Sequence, residues 1–156
     1  MASRAAGMVV LVMGLAPAAL AAQGRGWDRG RDSTEALALF RENIDAIHKR
    51  DRARYLATYL QSTELVRTGL RVVERGFEGW GARTSNAWPD TLVANELEVH
   101  PLQPGVVYGR YRYVGVNQGV AATGVSERFF VRTPQGWRIA VTGSFPDTLA
   151  APRVPR

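Results

Sequence analysis

The first half of the chain repeats apolar residues every three or four positions, which is the period of amphipathic helices. The first apolar stripe consists of Leu37, Phe40, Ile44 and Ile47. It follows Asp32 and Glu35, which have the spacing of a capping box, and it predicts a helix over about 33–49. A shorter helix is predicted over 53–60 and a third over 72–82, with a brief strand at 63–69 between them.

The second half changes to a period of two and is rich in Val, Tyr and Phe, a pattern that predicts strands. The predicted strands are 91–102, 105–116, 125–133 and 136–145. Turns are predicted at Pro104-Gly105, over the longer segment 116–124, and at 134–136. Helices that precede an antiparallel sheet define an α+β fold.

The two ends of the chain differ from this central part. Residues 1–21 contain Arg4, an apolar run and a final Ala-Leu-Ala, which is the pattern of a secretory signal peptide. We therefore expect an exported protein, periplasmic or extracellular, with no stable membrane span, an uncleaved anchor being the alternative. Residues 22–32 are predicted to be a flexible lead-in, 33–146 the folded domain, and 147–156 a disordered tail.

Composition restricts the chemistry that the domain can perform. The chain has no Cys, which removes disulfides and thiolate nucleophiles. Its net charge is +6, but the basic residues alternate with acidic ones, so nucleic acid is not expected as a partner. His48 and His100 are far apart in sequence, and no acidic cluster has metal-ligand spacing. We expect no metal and no cofactor.

The order of helices and strands, together with the segment GWRIA at 136–140, resembles the SnoaL-like branch of the nuclear transport factor 2-like superfamily. The resemblance covers about 33–146. It implies a cone, in which three N-terminal helices pack on a curved antiparallel sheet around a pocket at the wide end. Isomerases and cyclases of that superfamily use an Asp or His base with a Tyr or carboxylic acid donor, a pair that we cannot place in this sequence.

The last strand shows where the sequence departs from that resemblance. Many members carry His after the Trp-Lys/Arg-Ile segment, on the Trp-Ile face, and then Ser. Here the alternating positions are Val141 and Gly143, while Ser144 matches the family serine. We expect Trp137, Ile139 and Val141 to form an apolar ladder inside the cone, with open space at Gly143.

Two strand arginines are the candidate ligand-binding groups. Arg110 and Arg128 stand among aromatic residues, and their placement is similar to that of pocket arginines in the association domain of calcium/calmodulin-dependent kinase II, which shares the fold. A guanidinium in a dry cleft requires an anionic or carbonyl partner. The alternative places both arginines on the outer face, paired with Glu96, Glu98 or Glu127. The predicted ligand-binding residues are Arg110, Arg128, Tyr108, Tyr59 and Trp80.

These observations leave three functional hypotheses. The first is an exported domain that binds a small, anionic molecule in the cone without a recognisable catalytic set. The second is an isomerase, cyclase or hydrolase of the same superfamily, and the third is an interaction module whose pocket is vestigial. Because both faces of the strands within 106–116 and 125–131 carry large apolar groups, we also expect a homodimer through the outer sheet face.

Overall fold

The computed structural model describes residues 26–70, 73–79 and 88–147. The predicted signal peptide at 1–21, the first part of the lead-in, Trp80 and the end of the predicted tail lie outside these residues. The described chain forms two complete α-helices, a helical segment at 77–79 and one six-stranded sheet, with the helices before the long strands. The α+β prediction is confirmed.

Helix α1, Arg29–His48, begins four residues before the predicted start. Its N-cap is Asp28, whose side chain accepts a hydrogen bond from the backbone N–H of Arg31. The expected capping box of Asp32 and Glu35 is therefore wrong, and the last residues of the predicted lead-in are helical. Helix α2, Arg52–Ala57, is capped in the same way by Asp51, which accepts from the N–H of Arg54.

Six strands follow, two short and four long. The short strands are β1, Val66–Gly69, and β2, Val73–Arg75. The long strands are β3, Thr91–Gln103; β4, Val106–Asn117; β5, Val120–Thr133; and β6, Gly136–Pro146. The order in the sheet is β2-β1-β6-β5-β4-β3, with β1 parallel to β6 and the other pairs antiparallel. The sheet is thus mixed, where the sequence predicted a purely antiparallel one.

The third predicted helix is not confirmed over 72–82. Residues Val73–Arg75 form β2, and a helical segment covers 77–79 at the border of the described residues. Gly76, with φ of 84°, separates the two, and its N–H donates to the carbonyl of Leu65. A positive φ favours glycine, and it interrupts the helical periodicity that Val73 and Phe77 suggested.

Tight turns set the register of the four long strands. Pro104-Gly105 joins β3 to β4 as predicted, with Gly105 at φ 74°. Between β4 and β5 the turn contains only Gln118 and Gly119, both with positive φ, as in the hairpin turns that match the twist of the strands. The predicted long turn over 116–124 is therefore wrong, since most of that segment is strand.

The core lies between α1 and one face of the sheet, which we call the inner face. Phe40 of α1 packs edge-on against Tyr111 of β4 and Phe130 of β5, with ring centroids 5.5 and 5.1 Å apart. The other large core residues are Ile44, Leu56, Tyr59, Leu65, Val107, Trp137 and Ile139. Irregular pairing in β3 and between β5 and β6 introduces bulges, which bend strands and so curve the sheet around α1.

Candidate functional site

Arg128 lies on the inner face of β5 and is buried, with only 5% of its surface exposed. Its neighbours on the same face of the strand are Ser126 and Phe130, which are also buried. Across the ladder it stands opposite Gly109 of β4 and Thr142 of β6. A Cβ at Gly109 would lie 2.8 Å from the Phe130 ring and 3.1 Å from the Phe40 ring, so this glycine permits the close packing beside Arg128.

One end of the Arg128 guanidinium is held by oxygen atoms of the sheet. Its Nη1 donates to Ser126 Oγ at 2.7 Å and to the carbonyl oxygens of Glu127 and Gly143 at 2.8 and 3.3 Å. Ser126 Oγ donates in turn to the Gly143 carbonyl at 2.8 Å. These acceptors are neutral, so they orient the guanidinium without balancing its charge.

Within the described ranges, the same guanidinium has no carboxylate partner, and its Nε atom has no hydrogen-bond acceptor. Arg128 forms no ion pair with any Asp or Glu in the described ranges, which contain every Asp and Glu of the chain. Its Nε is buried and has no hydrogen-bond partner among the described residues. Buried charges are normally paired, so an Arg in this state is an unusual feature of a protein interior.

Three tyrosines surround this cation. The guanidinium lies over the Tyr111 ring at 5.8 Å, and the Tyr59 hydroxyl donates to the Tyr55 hydroxyl at 2.9 Å. Burial raises the pKa of Tyr55 well above its usual value, the Tyr59 phenol adds to the increase, and Arg128 opposes it. Tyr55 is therefore a neutral phenol at physiological pH, which makes it a hydrogen-bond donor and not a general base. Trp88 packs edge-on against Tyr55, with ring centroids 5.4 Å apart.

Asn43 contributes a second polar group from α1. It is completely buried, and its Nδ2 donates to Thr58 Oγ1 at 2.8 Å. Thr58 Oγ1 donates its own proton to the Tyr55 carbonyl at 2.6 Å, which fixes the direction of the first bond. Asn43 Oδ1 has no partner among the described residues. Among the described residues, the buried interior thus contains a donor without a partner, Arg128 Nε, and an acceptor without a partner, Asn43 Oδ1.

A bulge in β6 overturns the predicted ladder of apolar residues. Phe130 pairs with Ile139 but Phe129 pairs with Val141, so Ala140 is an extra residue and the alternation of faces shifts by one. Trp137 and Ile139 are buried as expected, but Thr142 replaces Val141 on the inner face. The expected open space at Gly143 is also wrong, because a Cβ there would lie 2.8 Å from the Phe145 ring.

Arg110 and Tyr108 lie on the other face of the sheet, which we call the outer face. Arg110 Nε donates to Glu98 Oε2 at 3.1 Å, and both side chains are about two-fifths exposed, at 43 and 41%. Tyr108 donates to Glu127 Oε1 at 2.6 Å, and burial followed by this hydrogen bond raises its pKa to about 12. The expectation that Arg110 and Arg128 share the cone interior is wrong, since Arg128 alone points inward.

The predicted ligand-binding residues therefore separate into three groups. Arg128 and Tyr59 come together on the inner face, Arg110 and Tyr108 lie on the outer face, and Trp80 is outside the described residues. Sequence reasoning missed Asn43 and Ser126 as polar residues of the interior. Asn43 follows Phe40 by three positions and therefore lies on the apolar stripe of α1. This position in the sequence could have predicted that Asn43 is buried.

Further clefts lie elsewhere among the described residues. A cleft of about 690 Å³ at the start of α1 is lined by Trp27, Arg31, Asp32 and Arg132, among others. Asp32 is paired there with Arg132, and Arg31 with Glu35. A groove of about 430 Å³ lies between α1 and β3, against Ile44, Leu92 and Leu97.

Metal-binding clusters and membrane-spanning helices are both absent from the described residues. In the part of the chain that the structure describes, no cluster of His, Asp or Glu has the arrangement to hold a metal ion. Among the helices in these same ranges, none has the length and hydropathy needed to cross a membrane.

Comparison with known proteins shows the fold. No family model matches the sequence, and no curated protein matches it. A nuclear transport factor 2-like protein of unknown function from Shewanella oneidensis is similar at a TM-score of 0.62, with 16% identity over 72% of this chain and 97% of its own. A cystatin-like fold protein from Burkholderia xenovorans reaches 0.66, with 18% identity over 80% and 99%. The chain has the nuclear transport factor 2-like, or cystatin-like, fold.

A further neighbour carries a proposed activity in its name. It is a proposed dehydratase of the nuclear transport factor 2-like family from Streptomyces avermitilis, with a TM-score of 0.64 and 12% identity over 78% of this chain and 100% of its own. At this level of identity, the likeness concerns the fold and not the activity.

Proposed function

We propose that this protein binds a small carboxylate-bearing molecule on the inner face of its cone, with Arg128 as the anion-binding residue. The observation that carries the proposal is the buried Arg128 guanidinium, which has no carboxylate partner among the described residues and an unused Nε donor. A carboxylate at Nε would complete the hydrogen bonding of the group and balance its charge.

The surroundings of Arg128 favour an anion over a neutral ligand. Ser126 and two backbone carbonyls fix the Nη1 end, so the guanidinium is oriented before the ligand arrives. Beside the cation, the Tyr55 phenol is neutral because burial raises its pKa, so it adds polarity without a competing charge. Low polarity strengthens an ionic interaction relative to water, and pre-orientation lowers the entropy lost on binding.

The aromatic residues favour an organic anion with an apolar body. Tyr55, Tyr59 and Trp88 form a chain of edge-on rings next to Arg128, and Tyr111 lies beneath it. Sites for small molecules are commonly built from apolar and aromatic walls with a few polar groups that fix orientation. An aryl or alkyl carboxylate fits this combination better than inorganic phosphate does.

We place this binding function in an exported domain of the SnoaL-like type. The support for export is the signal-like pattern of residues 1–21, and the support for the SnoaL-like branch is the GWRIA segment within a matching order of elements.

The test uses two probes of nearly equal shape, phenylacetate and phenylacetamide, measured by isothermal titration calorimetry. We expect the protein to prefer phenylacetate, and Arg128→Met to weaken it by about tenfold or more, since a charge-assisted hydrogen bond contributes about 1.5–3 kcal/mol. Arg110→Met is the matched control, because it removes the same charge from the outer face. Equal losses in the two variants, or equal losses for the two probes, would contradict the proposal.

A further inference from the structure

The unused acceptor of Asn43 extends the description of the ligand. Its Oδ1 atom is fully buried and has no partner among the described residues, although Nδ2 of the same amide is bonded to Thr58. We infer that the ligand carries a neutral hydrogen-bond donor, a hydroxyl or an amide N–H, next to its carboxylate, and that Asn43 Oδ1 accepts from it. This inference rests on the proposed function.

Asn43 belongs to the same part of the interior as Arg128. Thr58, its hydrogen-bond partner, bonds to the carbonyl of Tyr55 and precedes Tyr59 in the chain, and Arg128 lowers the pKa of Tyr55. One helical turn before Asn43, Phe40 contacts Tyr111, which lies under the Arg128 guanidinium. The unused acceptor and the unused donor are therefore linked through a shared shell of side chains.

The direction of the Asn43 amide follows from its surroundings. Thr58 Oγ1 gives its proton to the Tyr55 carbonyl, so it can only accept from Asn43, and the amide must present Nδ2 to it. Oδ1 is left as a pure acceptor. A buried acceptor without a partner is unfavourable by about 1–3 kcal/mol, so a ligand that supplies a proton there gains affinity.

The neighbouring charge selects a neutral donor. An ammonium could also donate to Asn43 Oδ1, but no Asp or Glu of the described chain pairs with Arg128 to offset the repulsion between two cations. Hydroxy carboxylates and N-acyl amino acids meet both requirements, whereas free amino acids do not. The inferred ligand class is an α-substituted carboxylate with an aromatic or apolar body.

The experiment compares four ligands built on one skeleton: phenylacetate, the two enantiomers of mandelate, and phenylglycine. Because carboxylate, ring and hydroxyl would each have a fixed partner, only one enantiomer of mandelate can satisfy all three. We expect that enantiomer to bind about tenfold more tightly than its mirror image and than phenylacetate, and phenylglycine to bind more weakly than phenylacetate. The enantiomers have identical properties in water, so their ratio isolates the protein's contribution.

Asn43→Leu provides the matching variant. We expect the ratio between the mandelate enantiomers to fall to about one, in a protein whose near-ultraviolet circular dichroism confirms a folded core. The ratio in the unmodified protein is decisive even if this variant does not fold.

The outcomes separate the two proposals. If phenylacetate binds with the expected dependence on Arg128 but neither enantiomer of mandelate binds more tightly, a buried water satisfies Asn43, and the inference is overturned while the proposed function stands. Tight binding of phenylglycine would also overturn the inference, since it requires a nearby anion. If none of the carboxylates binds up to about 10 mM, the proposed function itself fails.

Discussion

Replacing Asp32 with alanine removes a buried carboxylate that ties the start of α1 to the sheet. Asp32 Oδ2 accepts from Trp27 Nε1 and from the backbone N–H of Gly105, each at 3.0 Å, and Oδ1 accepts from Arg132 Nη2. The change therefore releases the residue before the helix cap, the turn between β3 and β4, and the end of β5 together. We expect Asp32→Ala to lower the free energy of unfolding substantially.

The magnitude follows from what each donor loses. Breaking a buried ion pair by removal of one partner typically destabilises by about 3–5 kcal/mol. Arg132 is 37% exposed and keeps Glu35 Oε2 as a second partner at 2.8 Å, so it is not left unpaired and the loss is smaller. We expect about 2–3 kcal/mol for Asp32→Ala. Asp32→Asn can keep both bonds to its Oδ2 position and should lose about 1–2 kcal/mol.

The assay is urea unfolding followed by tryptophan fluorescence, with Glu98→Gln as the control. Glu98 also forms an ion pair, with Arg110, but on the exposed outer face, where such pairs contribute about 0–1 kcal/mol. The order of stability should be wild type, Glu98→Gln, Asp32→Asn and Asp32→Ala. An Asp32→Ala midpoint within error of that of Glu98→Gln would refute the reasoning.

The pH dependence gives an independent check on Asp32. Burial by itself raises the pKa of this carboxyl, but the hydrogen bonds from Gly105, Trp27 and Arg132 outweigh it and hold the pKa below the ordinary value of 3.8. The stabilisation is therefore complete above that ordinary value and is lost as the pH falls through the lower folded pKa. The difference between wild type and Asp32→Asn should shrink as the pH falls below 3.8 and through the lowered folded pKa.

Three further predictions concern assembly, packing and processing. The outer face exposes Val93 and Val114 and carries Tyr108 packed on Phe129, so we expect a homodimer through this face. Phe129→Glu should convert the dimer to a monomer, as measured by light scattering, and an unchanged mass would place any dimer contact elsewhere. Gly109→Ala should destabilise the fold by about 1–3 kcal/mol, because the added Cβ would overlap the Phe130 and Phe40 rings. An unfolding midpoint in urea equal to that of the wild type would show that these rings can move. Mass spectrometry of the exported protein should find a mature N-terminus at Ala22, and an intact Met1 would contradict the predicted cleavage.

The long elements could be predicted from the sequence because their periodicity is regular over many residues. Helix α1 buries one face, which gives the period of Leu37, Phe40 and Ile44. Strand β4 also buries one face, which gives its alternation of buried and more exposed residues. The errors occurred where a single backbone angle decides the structure. Gln118 and Gly119 close a two-residue turn at positive φ, which composition alone did not distinguish from a longer loop.

The site was only partly predictable, for two physical reasons. Alternation along β5 places Arg128 on the same face as Phe130, and alternation along β4 places Arg110 on the same face as Tyr108. For neither strand does alternation show whether that face packs on α1. The bulge at Ala140 is set by pairing between β5 and β6, and it moved Thr142 inward in place of Val141. Such pairings between strands are not encoded in the period of one strand.

The most direct test of the central claim is a measurement on the Arg128 Nε–H itself. In 15N NMR of the arginine side chains, its resonance is assigned by its absence from Arg128→Met, and burial should slow its exchange with water. We predict a saturable downfield shift of this proton on titration with phenylacetate, because a carboxylate forms a short, charge-assisted bond to it, and no such shift with phenylacetamide. Saturation of the protein by phenylacetate with an unmoved Nε–H resonance would contradict the assignment of Arg128 as the anion-binding residue.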